Sequence, residues 1–180
     1  MKRNKNMYSL REIERRDINV INKWHNDYTL SLNLGGGFHY VNEEVDMEWF
    51  EKYLQTRDSS IRCVILNEET KHVIGCTYLL NVNWVNRNAE FHIMIGDTDA
   101  QKKGAGTFAM KKMIHYAFYD LNLHRLTLEV LEKNTAAIHL YTKEGFIREG
   151  MKREVVYKNG QYLNCVIMGL LREEYTEQTE

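Results

Sequence analysis

The chain has 180 residues, enough for one domain, 1–180, with a sizeable core, and no composition shift or linker divides it. Its 24 basic and 25 acidic residues give a net charge of −1, which argues against nucleic acid or an anionic membrane as a partner. No apolar run approaches the roughly 20 residues that span a bilayer, so we expect a protein of the cytoplasm. The 3 cysteines are far apart, which favours free thiols and predicts no metal site.

The first half of the chain predicts a strand, two helices and then three more strands. The strand Tyr8–Arg11 precedes a helix that Asp17 caps and whose apolar face includes Trp24. Asn42 is the predicted cap of the second helix. Short polar turns join three strand-like runs, which predicts an antiparallel meander of Arg62–Leu66, Val73–Val82 and Ala89–Ile95.

The second half alternates helices with strands. Phe108–Leu121 predicts a helix and Leu126–Val130 a strand, and Asn134 caps a further helix. The dipeptide Asn159-Gly160 predicts a closing hairpin. We therefore predict a mixed α/β fold whose core spans about residues 8–171, with frayed tails at both ends.

A glycine-rich turn, Gln101–Thr107, lies between a predicted strand and a predicted helix. The first amides of a helix have no intrahelical partners and lie at the positive end of the helix dipole. Gly104 and Gly106 let the backbone approach a ligand closely, and Lys102 and Lys103 add positive charge. The turn is therefore a predicted site for a phosphate or pyrophosphate.

Two nucleotide-binding motifs are alternatives for this turn. A P-loop is excluded because the chain contains no G-x-x-x-x-G-K-[ST] sequence. Gly104, Gly106 and Ala109 match the dinucleotide fingerprint formally. That fingerprint usually opens a series of βαβ units, however, whereas here a meander comes first. A dehydrogenase remains an alternative, and it predicts affinity for NAD.

The turn also resembles the acetyl-CoA loop of the GNAT superfamily of N-acetyltransferases, which has the pattern Q/R-x-x-G-x-G/A. The preceding strand carries Glu90, and the segment Asn122–Leu128 is similar to the strand after the family's loop helix. Asn134, Tyr141 and Gly145-Phe146 then match the family block N-x-x-(A)-x-x-x-Y-x-x-x-G-F. The resemblance covers roughly residues 8–171.

Two further segments are similar to one branch of that superfamily. Trp24–Asp27, and the stretch from Gly150 to Gly160, look like the ribosomal-protein alanine and spermidine acetyltransferases. The resemblance implies a splayed, mostly antiparallel sheet of six to seven strands flanked by about four helices. It also implies acetyl-CoA as the co-substrate, without a metal. A homodimer is one assembly that the resemblance allows.

The resemblance assigns the cofactor contacts to the backbone of one strand, the glycine-rich turn and the helix that Asn134 caps. The pantetheine arm would run along the strand as an additional strand does. The residues concerned are Ile93, Met94, Ile95, Gln101, Lys102, Lys103, Gly104, Ala105, Gly106, Thr107, Asn134, Ala137 and Tyr141.

Acetyl transfer to an amine needs a base for the amine proton and an acid for the leaving thiolate. An alkyl ammonium with a pKa of about 10.4 is almost fully protonated at neutral pH, so a base must take its proton. Glu90 is the candidate base, and His92 on the same strand face is the alternative. Tyr141 falls where the family places its general acid, and a phenol with a pKa of about 10 can protonate a thiolate.

The resemblance places the acceptor groove along the first two helices, their loop and the final hairpin. The candidate acceptor contacts are Trp24, Asp27, Gly36, Tyr40 and His92. The acceptor is a small-molecule amine (a polyamine, an amino sugar or an aminoglycoside) or a protein N-terminal amine. A non-catalytic acyl-CoA-binding regulatory module is the alternative function.

Overall fold

The computed structural model describes residues 7–176, whose strands form one seven-stranded sheet. The predicted tails lie mostly outside these residues, at 1–6 and 177–180. In chain order the elements are β1 (Tyr8–Glu12), α1 (Ile18–His25), α2 (Tyr28–Ser31), α3 (Glu43–Gln55), β2 (Ile61–Asn67), β3 (Val73–Asn83), β4 (Asn88–Ile95), α4 (Ala105–His115), β5 (Arg125–Leu131), α5 (Thr135–Lys143), β6 (Ile147–Lys158) and β7 (Gln161–Leu171).

The sheet has the strand order β1-β2-β3-β4-β5-β7-β6. Every neighbouring pair is antiparallel except β4 and β5, which run parallel. A parallel pair needs a long crossover, and α4 with the turn before it supplies that connection. The predicted mixed, mostly antiparallel sheet and its central meander are therefore confirmed.

The sheet opens between β4 and β5. These strands pair only at Asn88↔Arg125, Ala89↔Leu126 and Glu90↔Thr127, whereas β4 stays paired with β3 as far as Ile95. Beyond Glu90 the β5-facing edge of β4 therefore has no strand beside it in the described chain. A gap of this kind leaves backbone groups available to an extended ligand.

The two faces of β4 have different neighbours, because successive side chains of a strand point to opposite faces. Phe91 packs in a core cluster with Met110 and Ile114 of α4. Met94, on the other face, packs in a second cluster with α1 and α3. The face that carries Glu90 and His92 is therefore the face that α1 and α3 cover in part.

The helix caps are confirmed at two of the three predicted positions. The Asn42 side chain accepts a hydrogen bond from the Val45 amide at 2.9 Å, and Asn134 accepts one from Ala137 at 3.2 Å. Asp17 does not cap α1. Its buried carboxylate instead pairs with the Arg11 guanidinium at 2.7 Å, because a charge at that depth needs a partner.

Several element boundaries differ from the prediction. Helix α4 begins at Ala105, inside the glycine-rich turn, and continues as one π-helical turn, Tyr116–Asp120. Helix α2 was not predicted, and Asp27 caps it by accepting the Leu30 amide. At the C-terminal end the ring of Tyr175 packs against Phe118.

Candidate active site

The glycine-rich turn is anchored by two strands. The Tyr8 hydroxyl of β1 donates to the Lys103 carbonyl at 2.9 Å, and the Gln101 side-chain amide donates to the Ile95 carbonyl at 3.1 Å. Lys102 and Gly104 both have positive φ, 58° and 90°. These left-handed residues turn the chain sharply enough for α4 to start directly after the strand.

The N-terminus of α4 presents free amides at this turn. The Phe108 amide bonds to the Gly104 carbonyl at 2.9 Å and is the first to close a helical turn. The amides of Ala105, Gly106 and Thr107 precede it and have no intrahelical acceptor. The exposed Lys102 and Lys103 lie beside these amides, so the turn has the donors and the positive charge that suit an anion.

Gly106 marks the point where three elements meet. A Cβ built on Gly106 would lie 3.7 Å from Leu140 of α5 and 3.9 Å from Ile95 of β4. The open end of β4, the start of α4 and the middle of α5 therefore border the same gap. The predicted cofactor residues Ile93, Met94 and Ile95 are partly buried along one side of it.

Tyr141 lies on the α5 side of the gap and is 9% exposed. Its ring contacts Phe91 edge-on at 6.5 Å and Phe146 at 6.1 Å. Within residues 7–176 its hydroxyl has no hydrogen-bond partner, and burial raises the pKa of Tyr141 to about 12. The phenol is therefore protonated throughout the neutral range, with its donor available to a ligand.

Asn134 and Ala137 lie on the first turn of α5. The Asn134 oxygen is occupied by its capping bond, and its amide nitrogen donates to the Asn33 carbonyl at 3.1 Å. Asn134 therefore links α5 to the loop after α2. A side-chain contact from Asn134 to a cofactor would require this bond to be exchanged.

Glu90 and His92 lie together on β4, with Glu90 Oε2 3.6 Å from His92 Nε2. Each side chain is about half exposed, 49% and 48%. Partial burial lowers the pKa of His92, and the neighbouring Glu90 carboxylate opposes that shift. His92 is therefore largely neutral at pH 7 and able to accept a proton, directly or in concert with Glu90.

The predicted acceptor residues differ in their surroundings. Trp24 is a core residue, since a Cβ on Gly96 would lie only 2.1 Å from its ring. Asp27 serves as the cap of α2. Gly36 and Tyr40 lie in the exposed loop before α3, where Tyr40 is 88% exposed.

Two residues that sequence reasoning missed shape this side of the molecule. The buried Lys158 ammonium, at the hairpin tip, donates to the carbonyls of Ser31 and Leu34. Arg62 of β2 lies against the Trp49 ring on the face of the sheet that carries Glu90. In the sequence, Arg62 could have been recognised as a charged residue inside an apolar strand. Nothing in the sequence distinguishes Lys158 from other lysines.

Metal sites and membrane-spanning helices are both absent from residues 7–176. No group of three or more His, Cys, Asp or Glu side chains is arranged to hold a metal ion. None of the helices there is long and apolar enough to cross a membrane.

Comparison with known proteins agrees with this geometry. Residues 9–147 match the acetyltransferase (GNAT) domain family. The chain is 30% identical over 174 residues to a spermidine N(1)-acetyltransferase of Vibrio cholerae, covering 96% of this chain and 97% of that protein.

Two solved structures of a Vibrio cholerae spermidine N-acetyltransferase have the same fold. One, in complex with CoA and spermine, superposes with a TM-score of 0.88 at 29% identity, covering 95% of this chain and 99% of that chain. The other, a dodecamer, has a TM-score of 0.82 at 28% identity, covering 98% and 100%.

Proposed function

Because the chain belongs to the GNAT acetyltransferase family, we propose that it transfers the acetyl group of acetyl-CoA directly to a primary amine of a small molecule. The observation that carries this proposal is the gap between β4 and β5. Free helix amides border one end of the gap, and a protonated phenol and a carboxylate–imidazole pair border the other.

The residues around the gap suit the two ends of acetyl-CoA. The pyrophosphate would lie on the amides of Ala105–Thr107, with Lys102 and Lys103 beside it. The pantetheine amides would pair with the open edge of β4 at Ile93–Ile95. This arrangement brings the thioester between Glu90 and Tyr141.

Three groups then have chemical roles. His92 and Glu90 take the proton from the ammonium of the acceptor, which leaves a lone pair for attack on the acetyl carbonyl. Tyr141 donates a hydrogen bond to the sulfur as negative charge develops there, and is the proton source for the departing thiol. Each role is a proposal that rests on position and on protonation state.

Polyamines are the reference acceptors, because the relative with 30% identity is named a spermidine acetyltransferase and the solved neighbour binds spermine. Acetylation of a protein N-terminus is the competing possibility. No described segment forms a long peptide-docking insert, since the longest connection in residues 7–176 is the loop between α2 and α3. We therefore favour a small molecule.

An amine panel tests the proposal. Purified protein, acetyl-CoA and a thiol reagent would be combined with spermidine, spermine, an amino sugar, an aminoglycoside and an N-terminal peptide. We expect amine-dependent release of CoA with at least one small molecule. Tight acetyl-CoA binding without turnover of any amine would favour the regulatory module, and stabilisation by NAD but not by CoA would favour a dehydrogenase.

We further infer that the protein self-associates in a reducing compartment such as the cytoplasm. Outer strand β6 is long and exposes Ile147, Val155 and Tyr157, an arrangement that an isolated chain normally avoids. One neighbour is a dodecamer. The cysteines at 63, 76 and 165 are free thiols, as is usual in reducing compartments. Light scattering on the purified protein measures its assembly directly.

A further inference from the structure

Arg62 shares a row of the sheet with His92. In the strand register Arg62 pairs with Tyr78, and Tyr78 pairs with His92, so the three side chains emerge from the same face of β2, β3 and β4. Neighbouring strands are about 4.8 Å apart, so the positions of Arg62 and His92 are separated by about 10 Å. Trp49 of α3, which covers this face of the sheet in part, lies over the Arg62 guanidinium.

Three aromatic rings hold the Arg62 guanidinium in place. Its central carbon lies 4.4 Å from the Trp49 ring, 5.3 Å from Tyr78 and 5.5 Å from Tyr53. Cation–π contacts of this kind fix the plane of a guanidinium without neutralising its charge. Burial also raises the pKa of Tyr53 to about 12 and that of Tyr78 well above its usual value, so both phenols are neutral.

The charge of Arg62 is not compensated within the described chain. Its Nε atom is buried without a hydrogen-bond partner, and the guanidinium makes no ion pair with any carboxylate of residues 7–176. By contrast, Arg57 is paired with Glu12. A partly buried guanidinium without an acceptor is unfavourable, and the acceptors that fit its fork of N–H groups best are carboxylate and phosphate.

We propose that Arg62 is an anion subsite of the acceptor pocket, so that the preferred acceptor carries a carboxylate or a phosphate in addition to its primary amine. The proposal rests on the proposed acetyl transfer and adds a substrate class to it. The ammonium lies against Glu90 and His92, and the anion lies on Arg62. The roughly 10 Å between the backbone positions of Arg62 and His92 sets the scale of the separation between the anion and the amine.

A matched series of acceptors tests this directly. Omega-amino acids of increasing length are compared with n-alkylamines of the same length. The series measures the distance from the amine at which a carboxylate binds best. Glucosamine 6-phosphate is compared with glucosamine to test the effect of a phosphate. Spermidine is the reference acceptor without an anion. We expect the anionic member of the best-matched pair to have a kcat/KM roughly 10- to 100-fold higher, with a maximum near 6-aminohexanoate.

Variants of Arg62 separate the subsite from general effects of charge. Arg62→Met should reduce the preference to within about twofold, and Arg62→Lys should retain part of it. Lys52→Met, on the exposed side of α3, changes net charge equally and should keep the preference. Calorimetric binding of 6-aminohexanoate and hexylamine to the CoA complex gives a readout that is independent of turnover.

The outcomes are distinguishable. If both members of each matched pair are turned over equally, or if spermidine exceeds every anionic acceptor and Arg62→Met changes no ratio, the anion subsite is overturned and the acetyl transfer stands. If the wild-type protein acetylates no amine at all, the proposed function fails, and the subsite fails with it. Thermal melting of Arg62→Met and Arg62→Lys verifies that both variants are folded.

Discussion

Glu90 and Thr127 form the last register pair between β4 and β5, and beyond them the two strands separate. Glu90 therefore lies at the vertex of the gap, on the face of the sheet opposite α4. A carboxylate there is next to any ligand that fills the gap, while its half-exposed position keeps it open to the solvent side. The proposed base and the proposed cofactor channel thus share one feature of strand pairing.

Replacing Tyr141 with Phe should reduce turnover much more than cofactor affinity. The substitution removes the hydroxyl and keeps the ring packed on Phe91 and Phe146. We expect kcat to fall about 10²- to 10⁴-fold, the usual contribution of a positioned acid. Turnover is measured by thiol release and acetyl-CoA binding by calorimetry. Tyr116→Phe, on the π-helical turn, is the control, and wild-type turnover in Tyr141→Phe would contradict the assignment.

Two glycines of the turn should respond differently to Ala. Gly104 has φ 90°, so Gly104→Ala introduces strain of about 1–2 kcal/mol although nothing lies within 4 Å of the new Cβ. Gly106 lies in the first turn of α4, so Gly106→Ala should leave stability unchanged or raise it by up to about 1 kcal/mol. Urea denaturation measures both effects.

The same variants should both bind acetyl-CoA more weakly. Gly104→Ala distorts the turn, and Gly106→Ala places a methyl group where a phosphate would approach the amides. Gly106→Ala is the more informative variant, because its fold is intact. Unchanged affinity in that variant would show that the pyrophosphate does not lie on the α4 amides.

The lowered pKa of His92 makes both stability and activity depend on pH. A lowered folded-state pKa means that protonation favours the unfolded chain, so stability is lost as the pH falls below about 6.5 towards the folded-state value. We expect the wild-type protein to have a higher urea midpoint than His92→Gln, and we expect this difference to be larger at pH 7.5 than at pH 5. A difference in urea midpoint that grows as the pH falls would contradict this prediction.

Glu90→Gln should lower the pKa of His92 further, because the Glu90 carboxylate is the main group that raises it. A proton NMR titration of the His92 ring, assigned with His92→Gln, measures this shift. The acid limb of kcat/KM should move to lower pH in the same direction. If Glu90 alone were the base, its removal would abolish the limb instead of moving it.

Lys158 should determine acceptor affinity through the loop after α2. Its ammonium holds the Ser31 and Leu34 carbonyls, and Lys158→Met would leave them without that donor. We expect a loss of about 1–3 kcal/mol of stability and a KM for the acceptor that rises about tenfold, with the KM for acetyl-CoA unchanged. Lys71→Met, on an exposed turn, is the control. Equal increases in both KM values would indicate a general loss of structure.

Much of the secondary structure was predictable because its causes are local. Strands β2, β3 and β4 are apolar runs joined by short polar turns, and the side chains of Asn42 and Asn134 reach amides only three residues away. A positive-φ turn at Asn159-Gly160 likewise depends on two residues. Periodicity and capping chemistry can be read from a short window.

The predictions that failed depended on distant partners. Asp17 looks like a cap in its window, but the strand beside it supplies Arg11, and a bidentate guanidinium outcompetes the capping bond. The core position of Trp24, predicted on the apolar face of its helix, is by contrast confirmed, because Gly96 leaves space for its ring, and its contact with an acceptor stays a prediction. Whether a side chain lies in the core or in a groove depends on the residues that pack against it.

By itself the sequence determined most of the elements and a glycine-rich turn suited to an anion, because both depend on residue type and short-range spacing, and its resemblance to the family assigned Glu90 and Tyr141 as candidates. Only the tertiary structure decided that β4 separates from β5 after Glu90, that Lys158 reaches Ser31 across 127 residues, and that Arg62 has aromatic neighbours without an anion. Those features are sums of contacts between segments far apart in the chain, and such contacts form only when the whole core packs.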